Sequence, residues 1–201
     1  MEFTVNGPVI LASGSPRRRE LLEKLGIPFD SMPSNVDENV ELIDGDFKDY
    51  VQKLAVKKGS AVAERKQDAL IIAADTIVVF EDAVYPKPAT AEQAEQFLNQ
   101  FSGKTHSVFT GVCIKGKDKE IVFSVETKVT FKELDEGLIK AYVNSGDPMD
   151  KAGGYGIQTA GALLVEKIDG DYLNVVGLPL SKLVEILRRE DLLVLKESES
   201  P

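Results

Sequence analysis

Apolar residues along the chain fall into two kinds of run: continuous blocks that predict strands, and stripes at three- and four-residue spacing that predict helices. The first block, PVILAS at 8–13, feeds GSPRRRELLEKLG, where Leu21, Leu22 and Leu25 share a helical face. Ser15 stands at the N-cap, Pro16 at the first helical position, and Gly26 with Pro28 closes the element. A short strand is expected at FDSMPS, then a polar loop holding Asp37, Glu38 and Glu41. A helix follows near 46–65. At about 100° per residue, Phe47, Val51, Leu54, Ala55 and Val62 form its buried stripe, and Lys58 falls in the middle of that stripe.

ALIIAADTIVVF, 69–80, predicts a buried strand interrupted by a bulge or bend at Asp75 and Thr76. EDAVYPKP turns the chain back, and 91–101 is a helix with Ala94, Phe97, Leu98 and Phe101 inward. THSVFTGVCIKG and EIVFSVETKVTF, separated by KDKE, predict a long antiparallel hairpin. A helix over 135–145 is capped by Asp135, stapled by Leu134 and Ile139 and stopped by Gly146. DPMDKAGGYGIQTAGA is too irregular for an element, LLVEKIDGDYLNVVG predicts two short strands around Gly170, and LPLSKLVEILRR a last amphipathic helix. Helices join some strands and hairpins join others. The expectation is therefore one α/β domain over 1–190, with a mixed, twisted central sheet flanked by helices, and a disordered tail over 191–201.

Composition narrows the chemistry. The chain has 201 residues, 43% of them apolar, enough for one ordinary core. No run approaches the roughly 18 apolar residues of a membrane span, and MEFTVNGPV lacks the order of a signal peptide, so a soluble cytoplasmic protein is expected. Cys113 is the only cysteine and His106 the only histidine, so a thiolate or histidine metal cluster is excluded and any metal must take mainly oxygen ligands. Cys113 reads as a small core residue, and His106 has no nearby Ser or Cys motif to make it catalytic. A net charge of −9 argues against nucleic acid as a partner, because backbone binding needs many Lys and Arg contacts. A phosphate-bearing small molecule would need cations gathered locally against the overall field.

Several residues break local rules. Three arginines, 17–19, occupy the first turn of a helix, where the macrodipole already places positive charge. Arg19 can pair with Glu20 or Glu23; for Arg17 and Arg18, beside a GS turn, an anion held by backbone amides and guanidinium forks removes the conflict. Lys58 either lays its stem along the core edge or points its charge into a site. Lys87 sits between two prolines. Asp75 either ends a strand as a catalytic carboxylate or caps its own backbone. If Asp75 and Glu38 converge, they could hold Mg²⁺ or Mn²⁺. SGKT at 102–105 is not a Walker loop, since Leu98 stands where Gly is needed, and GGYGIQ lacks dinucleotide-binding spacing.

LASGSPRRRELL, AADTIV with KP eleven residues beyond Thr76, FSGKTHSVFTGV, PMDKAGGYGIQ and NVVGLPL together resemble the Maf-like nucleoside triphosphate pyrophosphatases, over about residues 9–188. The resemblance implies a fold of the Maf and inosine-triphosphatase kind and metal-dependent hydrolysis of a nucleoside triphosphate to monophosphate and pyrophosphate. It implies Asp75 as general base, Ser15, Arg17, Arg18, Lys58 and Lys87 around the phosphates, and Glu38 with Asp75 as metal ligands. Arg17, Thr76 and Gln158 match the set that resembles the dTTP/UTP branch, whereas the 7-methyl-GTP branch resembles Trp, Gln and Glu there. A Gln amide can complement the N3–H and O4 edge of thymine or uracil. Thr159, after Gln158, departs from the small residue expected. A homodimer is expected by analogy. The competing readings are a non-hydrolytic nucleotide-binding regulator of cell division, a pyrophosphatase for another base such as 7-methyl-GTP, and a phosphatase releasing orthophosphate.

Overall fold

The protein is described by a computed structural model over residues 2–196. Its first half alternates strand and helix: β1 (Phe3–Thr4), β2 (Val9–Leu11), α1 (Pro16–Glu23), β3 (Asp30–Ser31), α2 (Phe47–Ala63) and β4 (Leu70–Phe80). The second half is dominated by antiparallel pairing: β5 (Ala83–Tyr85), α3 (Ala91–Phe101), β6 (Thr105–Lys115), β7 (Glu120–Phe131), α4 (Glu136–Asn144), short 3-10 turns between 147 and 164, β8 (Val165–Asp169), α5 (Tyr172–Val176), α6 (Leu180–Arg189) and β9 (Val194–Leu195). The cap anticipated at α4 is made, for the Asp135 side chain accepts from the Leu138 N–H, and α3 is capped in the same way by Thr90, which accepts from the Gln93 N–H. Ser15 stands at the N-cap of α1 with extended backbone, but its side chain makes no capping bond.

The central sheet runs β3-β2-β4-β6-β7-β8, with β5 also on β4. β2 lies parallel to β3 and β4, and the remaining pairings are antiparallel, so the sheet is mixed as expected. β6 lines one edge of β4 from Ile71 to Val79. The other edge is shared, for β2 pairs only up to Ile72 and β5 begins at Val78. The stretch between them carries no strand among the described residues. That notch opens beside Asp75 and Thr76.

Strand alternation sorts side chains to two faces. Ile71, Ala73, Ile77 and Val79 of β4 belong to the smaller clusters beneath α2, and Ile72, Ala74, Val78 and Phe80 to the main core with α1, α3, α4 and α6. α2 lies very close to the sheet: a Cβ at Gly111 would stand 2.2 Å from the Val51 carbonyl oxygen, and one at Gly59 3.2 Å from Cys113 Sγ. Only glycine fits at 111.

Three expectations need correction. The bulge or bend at Asp75 and Thr76 is absent, for β4 keeps register with β6 through Asp75↔Gly111 and Thr76↔Thr110. No interruption is needed, because each polar side chain finds partners on its own face. The second strand after Gly170 is instead the helix α5, which Asp171 starts by accepting from Leu173 N–H. Residues 191–196 of the expected tail are ordered. Leu193 is buried and β9 pairs with β1, while residues 197–201 lie outside the described residues.

Cys113 is a core residue, as read, and so is His106. His106 stacks on Phe101 with ring centroids 4.5 Å apart and meets the Tyr155 hydroxyl through Nε2 at 2.8 Å. Burial holds its pKa down at about 3. The Cys113 thiol is pushed up to about 12, first by burial and then by Glu120.

Candidate active site

The notch in β4 continues into a cleft of about 490 Å³, within the range of small-molecule sites. Ser15, Arg17, Arg18, Glu38, Lys58, Asp75, Thr76, Lys87 and Gln158, which span much of the chain, all line it. The β2–α1 turn supplies Ser15, the first turn of α1 supplies Arg17 and Arg18, α2 supplies Lys58, mid-β4 supplies Asp75 and Thr76, the segment after β5 supplies Lys87, and the 3-10 region supplies Gln158. Arg17, Arg18, Lys58, Lys87 and Lys151 face Glu38, Asp75 and Asp150 across it, so the cleft is locally cationic in an acidic chain.

On the α2 face, alternation points Asp75 at the helix, where a leucine would have met Lys58. The two are buried together, with Lys58 Nζ 2.5 Å from Asp75 Oδ1 and 2.8 Å from Glu38 Oε1. The sequence had placed Asp75 just outside a strand; it sits inside one, and the notch gives it access. Glu38 is mostly exposed. Lys58 holds the two carboxylates near each other.

Asp75 and Glu38, both now bonded to Lys58, are the carboxylates here that could hold a divalent ion. Among the described residues no group of three or more His, Cys, Asp or Glu side chains could hold a metal. Mg²⁺ is commonly bound by one or two carboxylates with the remaining positions filled by water and substrate phosphates, and Asp75 with Glu38 matches that donor set.

On the opposite face, Arg18 is fixed by Nε to the Gly177 carbonyl at 2.8 Å, Nη1 to Ser13 Oγ at 3.4 Å and Nη2 to Thr76 Oγ1 at 3.0 Å. Burial pulls its pKa down and Asp75 opposes this, yet a guanidinium stays charged. It therefore braces the site as well as charging it. Arg17 instead crosses the cleft to Asp150, with Nη1 2.9 Å from Oδ2. Lys87 and Gln158 are exposed at its rim.

Lys151, Asp150 and Asp147 were not singled out beforehand, whereas Thr159 was noted for its departure from a small residue. Lys151 is buried and donates to the Asp147 carbonyl at 2.6 Å and to Asp150 Oδ1 at 2.6 Å, which ties the irregular loop together. Partial desolvation would raise the Asp150 pKa, but bonds from Lys151 and Arg17 bring it down to about 2. Thr159 donates to Asp147 Oδ2 at 2.5 Å, so its hydroxyl is engaged within the loop. The prior signals for this group were the density of Gly and polar residues there and the motif PMDKAGGYGIQ, neither of which gave Asp150 or Lys151 a role.

Comparison with known proteins adds a family to this geometry. A family model described as Maf-like protein matches residues 8–190. The chain is 50% identical over 181 residues to a dTTP/UTP pyrophosphatase of Bacillus cereus strain AH820, covering 90% of this chain and 94% of that one. It is 48% identical over 184 residues to the protein of the same name from B. cereus strain G9842, covering 92% and 96%. Among solved structures, the Staphylococcus aureus Ham1 protein overlaps with a TM-score of 0.43 at 14% identity, over 62% of this chain and 72% of that one.

Proposed function

The chain belongs to the Maf-like protein family, and from that premise we propose that it hydrolyses dTTP and UTP to the monophosphate and pyrophosphate. The observation that carries the reading is the meeting of Lys58, Asp75 and Glu38 with Arg17, Arg18 and Lys87 in one cleft. The dTTP/UTP pyrophosphatase names of relatives at half identity support the same substrate.

Asp75 is the general base. Lys58 takes its Oδ1, which leaves Oδ2 to accept a proton from water as the water oxygen attacks the α-phosphorus. The bond from that phosphorus to the bridging oxygen breaks, and pyrophosphate leaves. Arg17, Arg18, Lys58 and Lys87 stabilise the charge that grows on it, so catalysis is positioning and electrostatics without a protein nucleophile. Asp75 and Glu38 would hold Mg²⁺ or Mn²⁺ with the phosphates, and the ion would supply charge neutralisation and orientation. Thr76 and Gln158 would meet the base.

No helix among the described residues is long and apolar enough to cross a membrane, and we place the activity in the cytoplasmic nucleotide pool. The test is a panel of nucleoside triphosphates with Mg²⁺ or Mn²⁺, scored for pyrophosphate against orthophosphate. Pyrophosphate released fastest from dTTP and UTP is the expected result. Equal rates on every base, preference for 7-methyl-GTP, or orthophosphate as product would overturn it.

A further inference from the structure

Behind Thr76 lies a buried hydrogen-bond chain whose hydrogens can be assigned one by one. A threonine hydroxyl has a single hydrogen to donate. Thr110 Oγ1 lies 3.1 Å from the Asn174 carbonyl oxygen, an atom that can only accept, so the Thr110 hydrogen points there. Thr76 Oγ1 lies 2.9 Å from Thr110 Oγ1, either of which could donate; with the Thr110 hydrogen on the Asn174 carbonyl, Thr76 is the donor. The alternative acceptor for Thr76, the Gly177 carbonyl, is farther at 3.4 Å and already receives Arg18 Nε at 2.8 Å. The opposite order, with Thr110 donating to Thr76 and Thr76 to the Gly177 carbonyl, trades the 3.1 Å contact for one of 3.4 Å, so the shorter pair of contacts favours the first order. Arg18 Nη2 donates to Thr76 from the other side at 3.0 Å.

The far end of the chain is equally committed. Thr127 Oγ1 donates to the Asp171 carbonyl at 3.0 Å, so it can only accept from Asn174 Nδ2, also at 3.0 Å, while the same amide donates to the Val108 carbonyl. That fixes the amide orientation and leaves Asn174 Oδ1 buried without a partner. Thr110, Thr127 and Asn174 are all fully buried. Such a network favours one arrangement, because reversing the Thr76–Thr110 pair replaces a 3.1 Å bond by one of 3.4 Å.

Thr76, half-buried in the cleft wall, therefore has no hydrogen left for a ligand and one lone pair to offer. Phosphate oxygens also only accept, so they are not its partners. We propose that Thr110 is a positioning residue which holds Thr76 as an acceptor, so that this point of the cleft receives an N–H or O–H of the nucleoside: the N3–H of thymine or uracil, or the sugar 3′-hydroxyl. The inference deepens the nucleotide reading above and rests on it.

The test measures binding of dTTP, dCTP and 3′-deoxy-dTTP by calorimetry, and pyrophosphate release from each, for the wild type, Thr110→Val, Thr110→Ser and Thr76→Val. dCTP carries an acceptor at N3, and the 3′-deoxy analogue lacks the sugar donor. Thr110→Val frees the Thr76 hydroxyl to rotate. It should shrink either the dTTP-to-dCTP ratio or the dTTP-to-analogue ratio by about five- to tenfold, near the worth of one hydrogen bond. Which ratio moves identifies the donor, and Thr110→Ser should restore it. Unchanged ratios in Thr110→Val overturn the proposal, whatever Thr76→Val does, as does a serine variant as impaired as the valine one. If Thr110→Val does not fold by thermal melting, Thr76→Val decides alone by the same ratios. A wild type that binds dTTP without releasing pyrophosphate sinks the hydrolytic reading and leaves the affinity ratios to judge Thr110; one that binds none of the three sinks both.

Discussion

At positions 75 and 76 the two faces of β4 carry opposite kinds of polar chemistry one residue apart. Toward α2, Asp75 meets Lys58 and Glu38, full charges that share one ammonium and open onto solvent through Glu38. Toward the main core, Thr76 joins Thr110 and Asn174, neutral groups whose hydrogens are all assigned. The difference teaches which side can exchange partners. Ion pairs beside a cleft can trade a carboxylate for a phosphate, whereas a buried chain of hydroxyls has no spare donor and keeps its polarity.

The largest effect should come from removing the reactive side of the comparison. Asp75→Asn keeps size and a hydrogen-bonding oxygen but loses the base, so pyrophosphate release should fall by about 10²–10⁴-fold. Nucleotide binding measured by calorimetry should remain within a few-fold. A variant that still turns over at near wild-type rate removes Asp75 from the mechanism.

Next in size is Lys58→Met, which leaves Asp75 buried without its cation and Glu38 without its tether. Stripping one partner from a buried pair costs about 3–5 kcal/mol, and the exposed Glu38 places this case at the lower end. Urea denaturation should show that loss. The double variant Lys58→Met with Asp75→Asn should recover much of it, since the uncompensated charge is gone. A loss with no recovery would mean that the lysine stem, packed under α2, matters more than its charge.

How far these faces could be read from sequence follows from the kind of signal each leaves. Lys58 was visible because a cation in an apolar helical stripe violates a 3.6-residue period, and Asp75 because a carboxylate breaks an apolar block. Thr110, Thr127 and Asn174 break nothing. Threonine is an ordinary strand residue, and only the register Thr76↔Thr110 makes it a partner. The same gap explains the bulge that is not there: satisfaction of Asp75 and Thr76 on separate faces depends on α2 and α1, which lie elsewhere in the chain. α5 was misread as strand because Tyr172–Val176 is apolar and short, and the Asp171 cap outweighed its propensity. Loop residues Asp150 and Lys151 follow no period at all.

A control for the neutral side is the pH dependence of stability. His106 is held neutral, with its pKa lowered from 6.5 to about 3 by burial. The unfolded chain takes up a proton below pH about 6.5 and the folded one does not until about 3. Stability should therefore decline as pH falls through that window, by at most about 1.4 kcal/mol per pH unit. His106→Phe, which retains ring packing against Phe101 and Phe131, should flatten the slope in acid unfolding curves. An unchanged slope would assign the acid sensitivity to the carboxylates on the charged face.

The smallest effect concerns Arg17, the cation on the rim of the cleft whose partner is most exposed. Asp150 is 63% exposed and anionic well below neutral pH, so its pair with Arg17 adds little stability, and Asp150→Asn should change unfolding free energy by less than about 1 kcal/mol. The asparagine oxygen can still receive Arg17, but without a full charge to compete against an incoming phosphate. KM for dTTP should then fall by about two- to threefold with kcat unchanged, and the gap between variant and wild type should narrow at high salt as both attractions are screened. A rise in KM would reverse the assignment and make Asp150 the residue that aims Arg17 at the nucleotide, which would place this exposed pair with the fixed face of the site, not the exchangeable one.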